Sequence, residues 1–215
     1  MVKCTRGDFM PKSIPMIITN NNILVKDCET DNFKELYIPT AYEQPNIPFY
    51  HQFAKDISKN QSTFCNFIKS MYGKRVSKYI MAIIVPDDTS RLESIFINEF
   101  FLHSGVGKAV AQATMGQALS KDEQYISISK TTRNIVLQYI KNDEILAQKF
   151  YDVNDYDAEK IKSDAQRIHI DVEYKETKIY INNFTLDMDE FFDIGTVVSP
   201  QSVLEKISEI TVEKI

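Results

Sequence analysis

Residues 125–152 read YISISKTTRNIVLQYIKNDEILAQKFYD and contain the pattern that decides the fold. Two runs of alternating β-forming residues, 126–128 and 135–140, flank the polar residues 129–134. A third apolar run, at 145–150, follows a second polar turn. Short apolar runs bounded by polar turn residues are typical of strands, so this stretch predicts an antiparallel meander of three strands.

The first turn of this meander has two interpretations. It is wide and carries the hydroxyl groups of Ser129, Thr131 and Thr132. Hydroxyl groups and backbone N–H groups at such a turn can hold a phosphate. The same residue types also form ordinary hairpin tips, and on the sequence alone the hairpin interpretation is favoured.

The strand–turn–strand of residues 126–137 resembles the start of the second lobe in the actin-like ATPase superfamily. That family includes actin, the bacterial rod-shape protein MreB, DnaK-type chaperones and sugar kinases. Its turn reads Asp-hydrophobic-Gly-Gly-Gly-Thr and wraps the nucleotide phosphates. Here Ser127 stands at the position of the Asp and Thr132 at that of the Thr. The three glycine positions hold Ser129, Lys130 and Thr131.

The preceding part of the chain resembles the first lobe of the same family. Its predicted order is three strands, a helix, a strand and a helix, as in a ribonuclease H-like lobe. Residues 81–86 look like the family's buried strand that ends in Val-Pro. Residues 109–119 look like a family helix, with Gly116 and Leu119 at the family spacing. The first phosphate loop of relatives, Asp-x-Gly, corresponds to a turn made of Thr19, Asn20, Asn21 and Asn22.

After the meander the same scheme continues in a reduced form. We predict a helix at residues 157–167, strands at 168–172 and 178–181, and a last helix that begins at Pro200. In relatives the strand near residue 181 ends in Gly-Gly at the adenosine. The two corresponding positions hold Asn182 and Asn183.

The resemblance implies an α/β fold made of two ribonuclease H-like lobes, the actin-like ATPase domain fold in minimal form. At 215 residues the chain is too short for the inserted subdomains that cap the cleft in actin. We expect the first lobe to span residues 1–120 and the second lobe to span residues 121–215.

The chemistry expected of the cleft differs from that of the family. Nucleotide hydrolysis on this fold requires acidic residues that hold Mg²⁺ and glycines that let backbone N–H groups approach the phosphates. Ser127 and Thr19 replace acidic residues, and Thr131 carries a Cβ where a glycine is wanted. We therefore expect no catalytic residue, no metal ligand and no cofactor, with ATP and magnesium as the alternative.

Composition limits the possible partners and compartments. A net charge of −5 without a basic cluster along the sequence argues against nucleic acid as a partner. The strongest apolar run, residues 80–85, is too short to cross a bilayer, and no signal-peptide pattern opens the chain. The widely spaced Cys4, Cys28 and Cys65 suit a reducing compartment. We therefore expect a cytoplasmic protein without a transmembrane segment.

An acidic cluster lies near the end of the chain, made of Asp187, Asp189, Glu190 and Asp193. It lacks the ligand spacing of a Ca²⁺ loop, so a solvated surface is the default interpretation. A segment that docks onto another protein is the alternative.

Three functions are compatible with these observations. The preferred one is a non-catalytic actin-like scaffold or adaptor that binds protein partners, or copies of itself, in a cytoskeletal, division or secretion-type assembly. The second is a divergent actin-like ATPase or kinase that binds ATP between the lobes. The third is a ribonuclease H-like nuclease, which needs carboxylates on adjacent strands and would rely on Asp171 and Glu173.

Overall fold

The computed structural model describes residues 13–30, 32–38, 47–184 and 187–208, which form two five-stranded sheets. In each sheet the first three strands form an antiparallel meander, and the fourth and fifth strands run parallel to the first. Counted within each lobe, the strand order is 3-2-1-4-5 in both sheets. The predicted duplication of a ribonuclease H-like lobe is confirmed.

The first lobe has long helices and short meander strands. Its sheet consists of β1 (Ser13–Ile18), β2 (Ile23–Lys26), β3 (Phe33–Leu36), β4 (Ile80–Val85) and β5 (Ala109–Thr114). Its helices are α1 (Ile57–Tyr72), α2 (Arg91–Leu102) and the single turn α3 (Met115–Ala118), and a 3-10 segment (Phe49–Asp56) precedes α1. Helix α2 begins at a capping box in which Ser90 and Glu93 bond to each other's backbone N–H groups.

The second lobe has the opposite proportions, with long strands and short helices. Its sheet consists of β6 (Gln124–Lys130), β7 (Asn134–Lys141), β8 (Glu144–Asp152), β9 (Ile179–Asn182) and β10 (Thr196–Val198). Its helices are α4 (Ala158–Ala165), α5 (Ile170–Tyr174) and α6 (Pro200–Ser208). The predicted helix start at Pro200 is confirmed.

The fold is layered because successive side chains along each strand point to opposite faces of the sheet, and both faces are apolar. On β1, Met16 and Ile18 pack into an outer core under α1 and α2, whereas Ile17 packs into a core shared by both lobes. That shared core also contains Met115 of α3 and Val203 of α6. The short helices α3 and α6 therefore lie between the sheets, while α4 covers the outer face of the second sheet.

Two predictions of secondary structure are wrong. Residues 109–119 are a strand followed by one helical turn, because residues 109–114 pair in register with β4 along its whole length. Residues 168–172 are not a strand. His169 instead caps helix α5 by accepting a hydrogen bond from the Asp171 N–H at 3.1 Å, and such a cap favours a helix start.

The connection between α3 and β6 contains the expected lobe boundary at residues 120 and 121. Helix α6, which comes from the end of the chain, packs against α3 in the shared core. The assignment of all residues after 120 to a separate lobe therefore stays a prediction.

Candidate functional site

The candidate site lies where the carboxyl ends of β1, β4 and β6 meet between the lobes. Three loops converge there: residues 19–22 after β1, residues 86–90 after β4, and residues 131–133 after β6. Crevices at the carboxyl ends of parallel strands are the usual ligand sites of α/β folds. The position agrees with the cleft that the sequence resemblance implies.

The first predicted phosphate loop, residues 19–22, forms hydrogen bonds within its own turn. The Thr19 hydroxyl donates to Asn22 Oδ1 at 2.5 Å and accepts from the backbone N–H groups of Asn21 and Asn22 at 3.3 and 3.1 Å. Asn22 in turn donates from its side-chain amide to Glu35 of β3 at 2.7 Å. The polar groups of this turn are therefore paired within the first lobe, as in an ordinary hairpin.

The second predicted phosphate loop is bonded across the cleft. Ser129 donates to Asp87 Oδ2 at 2.5 Å, and Thr131 donates to Asp88 Oδ2 at 2.7 Å. Both acceptors belong to the β4–α2 loop of the first lobe and are buried. The hydroxyl groups predicted to meet a phosphate thus bond to carboxylates of the opposite lobe.

Arg133 completes this contact between the lobes. Its guanidinium donates to Asp88 Oδ2 at 2.9 Å and to Glu93 Oε1 at 2.8 Å, and it also donates to the backbone carbonyl of Asp88. Glu93 accepts a further contact from His51 at 2.5 Å. We call the group of Arg133, Asp88, Glu93 and Thr131 the interlobe clasp.

Electrostatics of the clasp favour its charged form. Burial alone would raise the pKa of Glu93, but hydrogen bonds from Arg133, the Ser90 backbone and His51 outweigh it and lower the pKa to about 2. Burial also opposes the charge of Arg133, yet its two carboxylate partners hold the guanidinium pKa above the ordinary value. Each charge is therefore stabilised by its neighbours across the cleft.

Asp87 differs from the clasp carboxylates because no cation among the described residues pairs with it. Its Oδ1 accepts a hydrogen bond from the Gly116 N–H at 2.6 Å, in addition to the bond from Ser129. Burial raises the pKa of Asp87, and the two hydrogen bonds only partly oppose that effect. A buried carboxyl with a raised pKa is a poor ligand for a metal ion, because ligands must be deprotonated.

Little space remains between the three loops. The cavity lined by Thr19, Asn20, Asp87, Ser129 and Thr131 has a volume of about 20 Å³, which accommodates roughly one water molecule. A nucleotide needs several hundred Å³ of pocket, on the order of 300 Å³ or more. The cavity that these described residues form is therefore smaller than a nucleotide.

The remaining predicted site residues lie around this cavity. Asn182 borders it, and its side chain accepts from the Phe184 N–H at 2.9 Å. Lys130 also borders it, but its ammonium lies 5.4 Å from the centre of the Tyr156 ring in the second lobe. Thr132 and Asn183 are half-buried in the adjacent turns.

Ser127, at the position of the family Asp, lies deeper than the cavity. It pairs across the sheet with Gln138, and both side chains are fully buried. A Cβ added to Gly116 would come within 2.2 Å of Gln138 Oε1 and 3.0 Å of Ser127 Oγ. A side chain at this position would press against buried Gln138 and Ser127, so the match of Gly116 to the family spacing has a packing reason.

Sequence analysis did not identify four residues that control this site: Asp87, Asp88, Glu93 and Arg133. Sequence analysis described residues 81–86 as a buried strand that ends in Val-Pro and assigned no role to the residues that follow it. One signal was available, since residues directly after the Val-Pro strand end must face the crevice. Which partner each side chain meets depends on the other lobe, and no local pattern encodes it.

The carboxylates of the nuclease hypothesis do not meet on adjacent strands. Asp171 and Glu173 lie on α5, and Asp171 is paired with Lys141 at 2.6 Å. Within the described residues, no three His, Cys, Asp or Glu side chains come together as metal ligands. No helix in the same residues is both long and apolar enough to cross a membrane.

The geometry can now be compared with known proteins. No protein-family model matches the sequence, and no curated protein does. The chain is similar to a set of solved structures, one of which is described as having an actin-like ATPase fold. The solved structures similar to it include ethanolamine utilization protein EutJ from Carboxydothermus hydrogenoformans, with 11% identity over 90% of this chain and 86% of that chain and a TM-score of 0.49.

Two further similar structures contain a nucleotide. The filament of AlfA bound to AMPPNP has 11% identity over 94% of this chain and 88% of that chain, with a TM-score of 0.45. MreB5 of Spiroplasma citri bound to ADP also has 11% identity and a TM-score of 0.45, over 73% of this chain. The chain spans 56% of the length of MreB5. At such low identity the actin-like similarity is one of fold alone.

Proposed function

We propose that this protein is a non-catalytic actin-like scaffold or adaptor, which binds protein partners in a cytoskeletal, division or secretion-type assembly. The observation that carries the proposal is the interlobe clasp. Arg133, Asp88 and Glu93 pair with one another at the place where relatives of this fold hold phosphates and metal. A nucleotide would have to break these pairs before it could enter.

Two chemical features of the cleft support the same proposal. Both phosphate-loop positions lack glycine, so backbone N–H groups cannot approach a phosphate closely. Thr19 and Thr131, which stand at those loops, have their hydroxyl groups committed to protein partners. An actin-like fold that retains its packing but not its phosphate contacts can still present its surfaces to protein partners.

A divergent ATPase or kinase is the alternative, because Asp87 and Asp88 do bring two carboxylates to the cleft. Their present roles argue against it: Asp87 is buried with a raised pKa, and Asp88 is bonded to Thr131, Arg133 and Asn134. An ATPase would have to open the clasp during each cycle.

Thermal unfolding of the full chain with and without Mg-ATP, followed by calorimetric titration, tests this proposal. A ligand at one hundred times its Kd stabilises the folded state by about 2.7 kcal/mol, which gives a clear rise in Tm. We expect no rise in Tm, no binding heat and no release of phosphate.

A rise in Tm with turnover would overturn the proposal. Lys130→Ala serves as the control for such a result, because Lys130 borders the cavity and carries a cation that does not belong to the clasp. Binding that Lys130→Ala abolishes would locate the nucleotide in the cleft, and the alternative function would then be adopted.

A further inference from the structure

The longest edge strand in the described part of the chain is β8. Its nine residues, Glu144–Asp152, lie at the end of the second sheet and pair with β7 on one side. The other edge strands, β3, β5 and β10, have four, six and three residues. Proteins usually keep edge strands short, because an open edge presents a row of unpaired N–H and C=O groups. The length of β8 therefore distinguishes it from the other three edges.

The outer side of β8 is open. Apart from their ladder with β7, residues 144–151 make no backbone hydrogen bond to any described residue. A bulge interrupts the ladder between Ile145 and Ala147, and pairing is continuous from Ala147 to Asp152. Hydrogen-bonded positions alternate in an antiparallel pair, so about every second residue directs its N–H and C=O groups away from the sheet. An extended segment added beside β8 would pair with this row.

One face of β8 is fixed by helix α4. The Lys149 ammonium lies 3.0 Å from Asp164 of that helix, and the Tyr151 hydroxyl donates to the same carboxylate at 2.7 Å. A free lysine on an edge strand discourages pairing with another chain. Here Lys149 is held against α4 instead. The edge is therefore preformed, and a preformed edge loses little conformational freedom when a partner binds.

The other face of β8 carries an exposed aromatic side chain. Phe150 is 48% exposed, although its neighbour across the sheet, Val136, is fully buried. Because β8 ends the sheet, no strand lies on the free side of Phe150 in the described structure. Aromatic and β-branched residues form favourable cross-strand pairs with an aromatic residue. A partner strand is therefore expected to carry such a residue beside Phe150.

Charge decides between the possible partners. Exposed carboxylates lie at both ends of β8, Asp143 and Glu144 at one end and Asp152 and Asp155 at the other. No cation among the described residues forms an ion pair with any of these four. If two copies of β8 paired antiparallel along their full length, Glu144 would lie opposite Asp152 at both ends, and like charges directly opposite destabilise a pair. A segment with Lys or Arg at both ends is therefore favoured over a second copy.

We infer that β8 is a docking site for an extended segment of another protein, which adds to the second sheet as a further strand. The segment has a β-branched or aromatic residue beside Phe150 and basic residues at both ends. Affinity comes from the backbone ladder, and selectivity comes from Phe150 and the four terminal carboxylates. This inference rests on the proposed scaffold function and deepens it, because it names the surface and the chemistry of a protein partner.

A synthetic peptide tests the docking, with two lysines at each end and five residues of alternating valine and threonine between them. Fluorescence anisotropy of the labelled peptide measures its binding to the full chain. We expect saturable binding that is weaker by about tenfold or more when glutamates replace the lysines. A matched peptide with proline at its central position should lose as much, because proline removes a donor from the ladder.

Amide hydrogen exchange with and without the lysine-ended peptide locates the binding site. The outward-facing amides of β8 gain a hydrogen-bond partner in the complex, whereas its inward-facing amides are already paired with β7. We therefore expect new protection at about half of the amides of residues 144–152. The other edge strands, β3, β5 and β10, should show no comparable change.

Two substitutions test the chemistry assigned to the partner. Phe150→Ala removes the cross-strand pair and should weaken peptide binding by about threefold. Glu144→Lys reverses one terminal charge and should have an effect of about the same size. The matched controls are Leu92→Ala, an exposed apolar residue on α2, and Glu173→Lys, an exposed glutamate on α5, and both should bind as wild type does. Circular dichroism verifies that each variant is folded.

Three results would overturn the inference: no saturable binding of the lysine-ended peptide, equal binding of the proline peptide, or protection outside β8. Self-association of the chain alone that Phe150→Ala removes, measured by sedimentation velocity, would assign the edge to a second copy and overturn it as well. None of these results changes the nucleotide titration, which is made without peptide. Nucleotide turnover with intact peptide binding would contradict the scaffold function and leave the docking site standing.

Discussion

The duplicated fold offers a comparison of two equivalent turns, the one after β1 and the one after β6. In the first, Thr19 and Asn22 bond within the turn and to the same lobe. In the second, Thr131 and Arg133 bond to Asp88 and Glu93 of the other lobe. The same position in two copies of one architecture thus serves as a hairpin tip in one lobe and as a clasp in the other.

This difference shows that side chains of existing turns can bridge a cleft, without any additional helix or strand. Strand order is the same in the two lobes, so the backbone brings both turns to the crevice. Only the second turn carries a cation, Arg133, whose guanidinium reaches two carboxylates across the crevice. A buried ion pair specifies geometry more than it adds stability, because removal of one partner leaves the other charge buried and alone.

The largest expected effect comes from Arg133→Ala, which removes the cation of the clasp. The Asp88 side chain is only 2% exposed and that of Glu93 only 12%, so both would lose their main partner in a poorly solvated place. We expect the free energy of unfolding to fall by about 3 kcal/mol. Urea unfolding followed by circular dichroism measures it.

Arg167→Ala is the matched control for that experiment, since Arg167 is an exposed arginine in the same lobe. It should change the free energy of unfolding by less than about 0.5 kcal/mol. Equal effects of the two substitutions would mean that the clasp contributes nothing beyond a surface arginine, and the contrast between the two turns would lose its energetic basis.

A second effect follows from the lowered pKa of Glu93. A carboxyl whose pKa drops on folding stabilises the protein above its unfolded pKa of 4.5, and that stability disappears as pH falls toward about 2. We expect this window to account for about 2 kcal/mol, after allowance for solvent screening. Free energies of unfolding measured across these pH values follow the loss.

Glu93→Gln should flatten the acid side of that stability curve, because an amide does not titrate. The control is Glu99→Gln, an exposed glutamate on the same helix, which should leave the curve unchanged. If Glu93→Gln keeps the full acid loss of the wild type, the carboxylate of Glu93 is not the group that the clasp holds ionised.

The smallest effect compares the two turns directly, through Thr131→Val and Thr19→Val. Valine keeps the shape of threonine and removes the hydroxyl group. Thr131→Val leaves buried Asp88 without one donor and should cost about 1.5 kcal/mol, whereas Thr19→Val removes hydrogen bonds that are only partly buried and should cost about 0.5 kcal/mol. Thermal unfolding of the pair would contradict the comparison if Thr19→Val were the more damaging.

Much of the fold could be predicted from local pattern. The alternation of residues 126–128 and 135–140 produced β6 and β7, and the Pro200 start of α6 needed only a cap and a proline. The predictions were wrong for residues 109–119 and 168–172, where small or alternating side chains are compatible with both a helix and a strand. Residues 109–114 form a strand because β4 lies beside them, and residues 170–174 form a helix because His169 caps it.

The site was predictable in position but not in content. The resemblance located the crevice and both loops, and it marked the lost glycines and acids. It did not identify Arg133, whose partners lie 40 and 45 residues away in sequence.

The sequence by itself determined the duplicated strand framework, because period-2 alternation and turn chemistry act between near neighbours. Tertiary structure decided which side chains meet across the cleft. Ion pairs, burial and pKa shifts depend on groups brought together from distant parts of the chain, and a one-dimensional pattern contains no distances between them.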